Sequence, residues 1–165
     1  MSQKVSLKHI RECDMRLLSY RAKCGDAFHL QYEGESGKRR NIFLDMGHTK
    51  TYTQVLKGVI SNIVGASEQI DALFLSHIHD DHIGGASRFI NDIQKDSALG
   101  NVVIRWIYNA PRKYDVEETD DKKAGVLCGI VSGDKVYEHI LSHRPTDLGD
   151  VLEGMSFNID GMIVT

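Results

Sequence analysis

From Phe28 the chain alternates, with Phe28, Leu30 and Tyr32 set against His29, Gln31 and Glu33, which is the period of a half-buried strand. The pattern predicts that the apolar side packs and the His29 side meets water. Met15 to Ala22, carrying Leu17 and Leu18, is expected to pair with this strand across the turn-forming Gly25-Asp26. The polar run from Gly34 to Arg40 predicts a hairpin loop into a third strand, Asn41 to Asp45, so the chain opens as a β-meander. After Asp45-Met46-Gly47 the period changes. Tyr52, Val55, Leu56, Val59, Ile60, Ile63 and Val64 recur at the spacing of one helical face, with Thr49 or Thr51 as candidate cap and Gly65 as candidate stop. Asp71 to Ser76 is a short apolar run, expected as a strand buried on both faces. Ile83, Ala86, Phe89, Ile90 and Ile93 restore helical spacing, and Val102 to Tyr108 returns to strand.

From Asn109 to about Gly133 the pattern fades into a charged run, Glu117 to Lys123, and a glycine-interrupted segment, which predicts an irregular surface insertion. Val136, Tyr137, Ile140 and Leu141 predict a short helix, and Val151 to Thr165 a strand, a turn at Gly154 and a second strand. The 165 residues fit one domain, and 41% hydrophobic with 26% charged residues describes an ordinary soluble globular chain. A net charge of -3 gives no global pull toward nucleic acid or an anionic membrane, so an anionic substrate would have to be held by local charges. Cys13, Cys24 and Cys128 lack C-x-x-C spacing and read as reduced structural thiols. Neither a secretory leader nor a membrane-spanning run is evident, and a cytoplasmic location without membrane association is the default expectation.

The chemistry concentrates in Ser76-His77-Ile78-His79-Asp80-Asp81-His82-Ile83-Gly84-Gly85, which places three of eight histidines within six residues, between a buried strand and a helix. In extended backbone His77 and His79 project to the same side, so their imidazoles can converge on one cation with Zn–N contacts of about 2.0–2.1 Å. Asp81 and His82 fall in the turn into the helix, where a carboxylate and a third imidazole can face a second cation. Gly84 and Gly85 are expected to let the backbone pass close by as supporting residues, and Asp80 to point elsewhere as a brace or cap. An incidental, solvated histidine-rich turn is the bland alternative, and the strand-to-helix setting weighs against it. For His9, His29, His48, His139 and His143 the weighting reverses, with a reservation for His48 because it follows the Asp45 loop. Lys38-Arg39-Arg40 reads as a solvated loop tip before it reads as a phosphate contact, and Trp106 and Tyr108 read as packing residues.

His77-x-His79-x-Asp81-His82 resembles the H-x-H-x-D-H signature of the metallo-β-lactamase superfamily, and the order of elements agrees with it. The resemblance implies an α/β (α+β) fold, the amino-terminal part of an αβ/βα sandwich with a mixed β-sheet and flanking helices. Residues 1–165 would then form a single, truncated domain whose second half, and with it the later metal ligands, is missing. It further implies that Asp45 and Gly47, in the loop resembling the family's aspartate-glycine loop, brace the metal loop. The implied cofactors are two divalent metal ions, with zinc the family-based choice and manganese or iron accepted by the same ligand types. The implied activity is hydrolysis by hydroxide formed from a shared water between cations about 3.5–4 Å apart, with Asp81 orienting that water. Gly25-Asp26-Ala27-Phe28 resembles the subgroup related to DNA-uptake competence proteins, which tilts the substrate toward a phosphodiester or nucleic acid; a thioester or lactam stays open. The alternative expectation is a non-catalytic module whose uncovered apolar sheet face associates with another chain, as a homo- or hetero-oligomer.

Overall fold

The computed structural model describes residues 15–22, 25–108, 124–144 and 155–165, with the side chains of 124–128 outside that description. His9, Cys13, Cys24, the charged run Glu117 to Lys123 and Gly154 lie outside the described residues, as does the Cys128 side chain.

Five strands form one sheet in the order β1 (Arg16–Ser19), β2 (Phe28–Glu33), β3 (Arg39–Leu44), β4 (Ala72–Leu75) and β5 (Trp106–Tyr108). The first three pair antiparallel, with Leu17 opposite Leu30 and Leu30 opposite Ile42, so the expected meander is present. The pairs β3–β4 and β4–β5 are parallel, each strand being reached through a helical crossover. The first crossover is a continuous helical run: α1 (Thr49–Thr51), a π-helical turn (Tyr52–Leu56) and α2 (Lys57–Gly65). Its N-cap is His48, without a side-chain cap bond, where Thr49 or Thr51 was the expectation. The second crossover is α3 (Asp80–Ile93), followed by a 3-10 turn, Ser97–Leu99. The last strand is shorter than the β-branched run from Val102 predicts, since Val103 makes only an isolated bridge to Ile70.

Helices α2 and α3 and α4 (Ala124–His143) cover one sheet face, where Phe43, Leu73, Leu75, Trp106 and Tyr108 meet Leu56, Ile60, Ile83, Phe89, Ile90, Val136 and Ile140. Each such side chain, at 9% exposure or less, stabilises the fold by about 1.5–3 kcal/mol relative to exposure. Asp92 on α3 joins it to the first helical run by accepting bonds from Tyr52 Oη at 2.9 Å and Lys57 Nζ at 2.8 Å. No helix among the described residues is long and apolar enough to cross a membrane.

Two readings of the sequence are corrected here. His29 does not face water: it is 1% exposed on the helix side of β2, stacked on Phe43 at 4.1 Å and bonded through Nε2 to Asn41 Oδ1 at 3.0 Å. The Phe28 and Leu30 side is instead the half-buried one. Second, residues 124–133 are not irregular but begin the 20-residue helix α4. Its glycines are contact points, because a Cβ on Gly129 would lie 2.3 Å from the Ile78 carbonyl oxygen and one on Gly133 2.8 Å from Tyr108 Oη.

The opposite sheet face carries the antiparallel hairpin β6 (Phe157–Ile159) and β7 (Met162–Val164). Its turn is Asp160-Gly161, with φ of 46° and 93°, the left-handed pair that a two-residue Asp-Gly hairpin demands. Phe157, Ile159, Met162 and Val164 pack on Tyr32, Ile42, Ala72 and Ile107. Tyr32 Oη donates to the Ile159 carbonyl, and Arg40 bridges Asp71 and Asp160 at 2.8 Å each, which explains the basic loop without any phosphate. Leu17 and Leu44 on this face remain 69% and 42% exposed, the border of an apolar cavity of about 400 Å³.

Candidate metal centre

The parallel strands β3 and β4 end on one edge of the sheet, where open α/β sheets place their ligands. Residues 45–47 and 76–82 leave those ends together, joined by Asp45 N donating to the Phe74 carbonyl at 2.8 Å and Met46 N to the His82 carbonyl at 3.0 Å. Asp45 and Gly47 take left-handed backbone, φ 56° and 62°, so Asp45 accepts local strain. A Cβ on Gly85 would lie 2.1 Å from the Met46 carbonyl oxygen, and Gly85 N donates to the Gly47 carbonyl at 2.8 Å. Gly84 leaves room for the Asp80 carboxylate, 2.7 Å from where its Cβ would stand. Gly85 thus lets α3 approach the Asp45 loop, and Gly84 makes room for a side chain one turn earlier on the same helix.

Asp45 is 2% exposed and both its oxygens accept hydrogen bonds. Oδ1 accepts from Ser76 N at 2.8 Å, and Oδ2 accepts from Ser76 Oγ at 2.6 Å and faces His82 Nδ1 at 2.9 Å. A carboxylate only accepts, so His82 Nδ1 carries the proton and Nε2 keeps its lone pair. The Ser76 hydroxyl has spent its one hydrogen on Asp45. At 2.8 Å from His77 Nδ1 it accepts from that ring, which leaves a lone pair on His77 Nε2 as well. One buried carboxylate thus sets the tautomer of two histidines, directly for His82 and through Ser76 for His77.

The rings of His77 and His82 lie 3.9 Å apart and those of His77 and His79 4.8 Å, so the three imidazoles gather as the spacing predicts. Asp81 Oδ2 lies 3.9 Å from His82 Nε2, the nitrogen with the free lone pair. His79 also caps α3, its carbonyl accepting from His82 N and Ile83 N, and Asp80 and Asp81 fall in the first helical turn, where the helix dipole favours acidic groups. Asp80 turns away to His48 Nε2 at 2.8 Å and Ser132 Oγ at 3.1 Å, which ties α4 to the loop and brings His48 beside the site without joining it. His139 is a core residue: burial against Trp106 pushes the pKa of its imidazole down to about 4, and its Nδ1 has no hydrogen-bond partner among the described residues.

Two residues escaped the sequence reading. Ser76 gave no signal beyond its place before His77. Asp26, read as a turn former, stands with Oδ2 4.0 Å from His82 Nδ1, and ligand atoms of Asp26, Asp45 and His82 lie within 4.8 Å of one another. Because Asp45 is committed to Ser76 and His82, we assign it to bracing, not to a cation. The donor set fits a divalent cation: the Nδ1 atoms of His77 and His82 are held by Ser76 and Asp45, which leaves their Nε2 lone pairs and the partly exposed Asp81 carboxylate as donors.

A comparison with curated proteins finds no match. A comparison with protein families matches residues 35–156, which include β3, β4, α3 and the whole 77–82 segment. That match covers well over half of the chain and coincides with the sheet edge, the buried Asp45 brace and the clustered imidazoles, and with it the chain belongs to the metallo-β-lactamase superfamily.

Proposed function

We propose that this chain acts as a metal-dependent hydrolase through two divalent cations, with His77 and His79 serving one and Asp81 and His82 the other. Zinc is the preferred identity, since imidazole and carboxylate donors suit it. Family membership supports the metal-dependent hydrolase class. The observation that carries the assignment to these side chains is the Asp45 brace, which leaves Nε2 of both His77 and His82 as acceptors within a cluster whose ring centres lie 3.9–4.8 Å apart.

Cations bound there supply a water activated near neutral pH and neutralise charge that develops on the electrophile. The protein's own part is positional. Asp45 and Ser76 hold the two imidazoles in one tautomer, and Asp81 offers an oxygen that accepts a hydrogen bond from the water and fixes its line of attack on a phosphoryl or carbonyl centre. The likeness of Gly25-Asp26-Ala27-Phe28 to the competence-related subgroup favours a phosphodiester as substrate. The test is metal analysis with a phosphodiesterase assay on the wild-type protein, His77→Ala and Asp81→Ala. Both variants are expected to lose cation and at least a hundredfold in activity. Wild-type turnover in either one ends the assignment.

A second reading, a non-catalytic module that docks on another chain, draws on the apolar cavity of about 400 Å³ beside Leu17, Leu30, Leu44 and Phe74. Sedimentation of the purified chain separates the two: a stable oligomer without cation binding favours the module.

A further inference from the structure

Three carboxylates, Asp26, Asp45 and Asp81, surround the single imidazole of His82 at 4.0, 2.9 and 3.9 Å, and no Lys or Arg among the described residues pairs with any of them. A cation shared among these carboxylates would relieve their mutual repulsion. Asp45 is engaged through both oxygens by Ser76 and His82, whereas the Asp26 side chain is 53% exposed and has no hydrogen bond to a described residue. The turn between β1 and β2 is also held against the loop. Gly25 has φ 77°, and a Cβ there would lie 1.8 Å from the Asp81 carbonyl oxygen, so only glycine lets this turn seat itself on the metal loop.

We propose that Asp26 is a further oxygen ligand of the cation on the His82 side, delivered by the β1–β2 turn; this rests on the metal-centre reading above. Asp26 Oδ2 stands 4.0 Å from His82 Nδ1, which is committed to Asp45, so the proposal includes a turn of the exposed Asp26 side chain toward Nε2, where the cation belongs. An added carboxylate makes that position harder in character, which favours Mn²⁺ more than a set of imidazoles alone would. The feature lies outside the 77–82 segment and outside the matched residues 35–156.

Calorimetric titration of the metal-stripped full chain with Mn²⁺ and with Zn²⁺ tests this, comparing wild type, Asp26→Asn and Asp26→Glu. The expected result is two binding steps in the wild type, one of them weakened at least tenfold in Asp26→Asn, more for Mn²⁺ than for Zn²⁺, with partial recovery in Asp26→Glu. The metal-free melting temperature of Asp26→Asn is expected to match the wild type. Two unchanged steps in Asp26→Asn overturn the Asp26 proposal and leave the metal centre standing. A lowered metal-free melting temperature with both steps weakened assigns Asp26 a structural role and likewise overturns it. A wild type that binds neither ion overturns this proposal and the metal-centre reading together.

Discussion

The two sides of the metal loop are held in different ways. His82 sits against a buried carboxylate, its backbone carbonyl is tied to Met46, and its side chain is 14% exposed. His79 is exposed at the other side, with its ring edge-on to His77 and no hydrogen bond from a described residue to fix it. His77 is intermediate, steadied by Ser76 alone. The difference teaches that preorganisation was built into one half of the centre, where it is coupled to the stability of the fold, while the other half can be altered at little structural cost.

The comparison breaks most severely at Asp45. Asp45→Ala leaves Ser76 N–H, Ser76 Oγ and the His82 ring without their shared acceptor, and a urea melt is expected to show a loss of about 3 kcal/mol. Gly85→Ala comes next, since its Cβ collides with the Met46 carbonyl; about 1–3 kcal/mol is expected from the same measurement as the two loops separate. Ser76→Ala removes one hydroxyl from the relay. It should cost about 1 kcal/mol in stability and about tenfold in cation affinity, with imidazole ¹⁵N shifts showing a changed tautomer at His77 and an unchanged one at His82. The smallest stability effect belongs to His79→Ala, within about 0.5 kcal/mol of wild type, although it removes a proposed ligand and should lower cation occupancy. A large destabilisation by His79→Ala, or none by Asp45→Ala, would mean that the two sides do not differ as described.

The clustering of the imidazoles was legible in the sequence although their unequal bracing was not, and the reasons are local. The His77 to His82 spacing forces neighbouring imidazoles wherever a strand end turns into a helix, and Asp45-Met46-Gly47 marks a tight turn at the end of another strand. Ser76 and Asp26 could not be ranked in the same way, because their roles depend on which strand ends meet in space. His29 misled for a related reason: alternation marks two faces but not which of them a helix will cover, and a buried Asn41 made the polar side acceptable. In α4 glycines that look like helix breakers are where the Ile78 backbone and the Tyr108 hydroxyl press against the helix. The hairpin turn was readable from Asp160-Gly161 by its dipeptide alone, and Gly154 drew the prediction away from it.

The central claim is that His77, His79, Asp81 and His82 gather divalent cations in tautomers set by Asp45. Anomalous scattering from crystals of the intact protein grown with zinc tests it most directly. Metal peaks are expected about 2.0–2.2 Å from Nε2 of His77 and His82 and from a carboxylate oxygen of Asp81. Peaks bonded to Nδ1 of His82, or no metal at these four side chains under zinc-replete conditions, would contradict it.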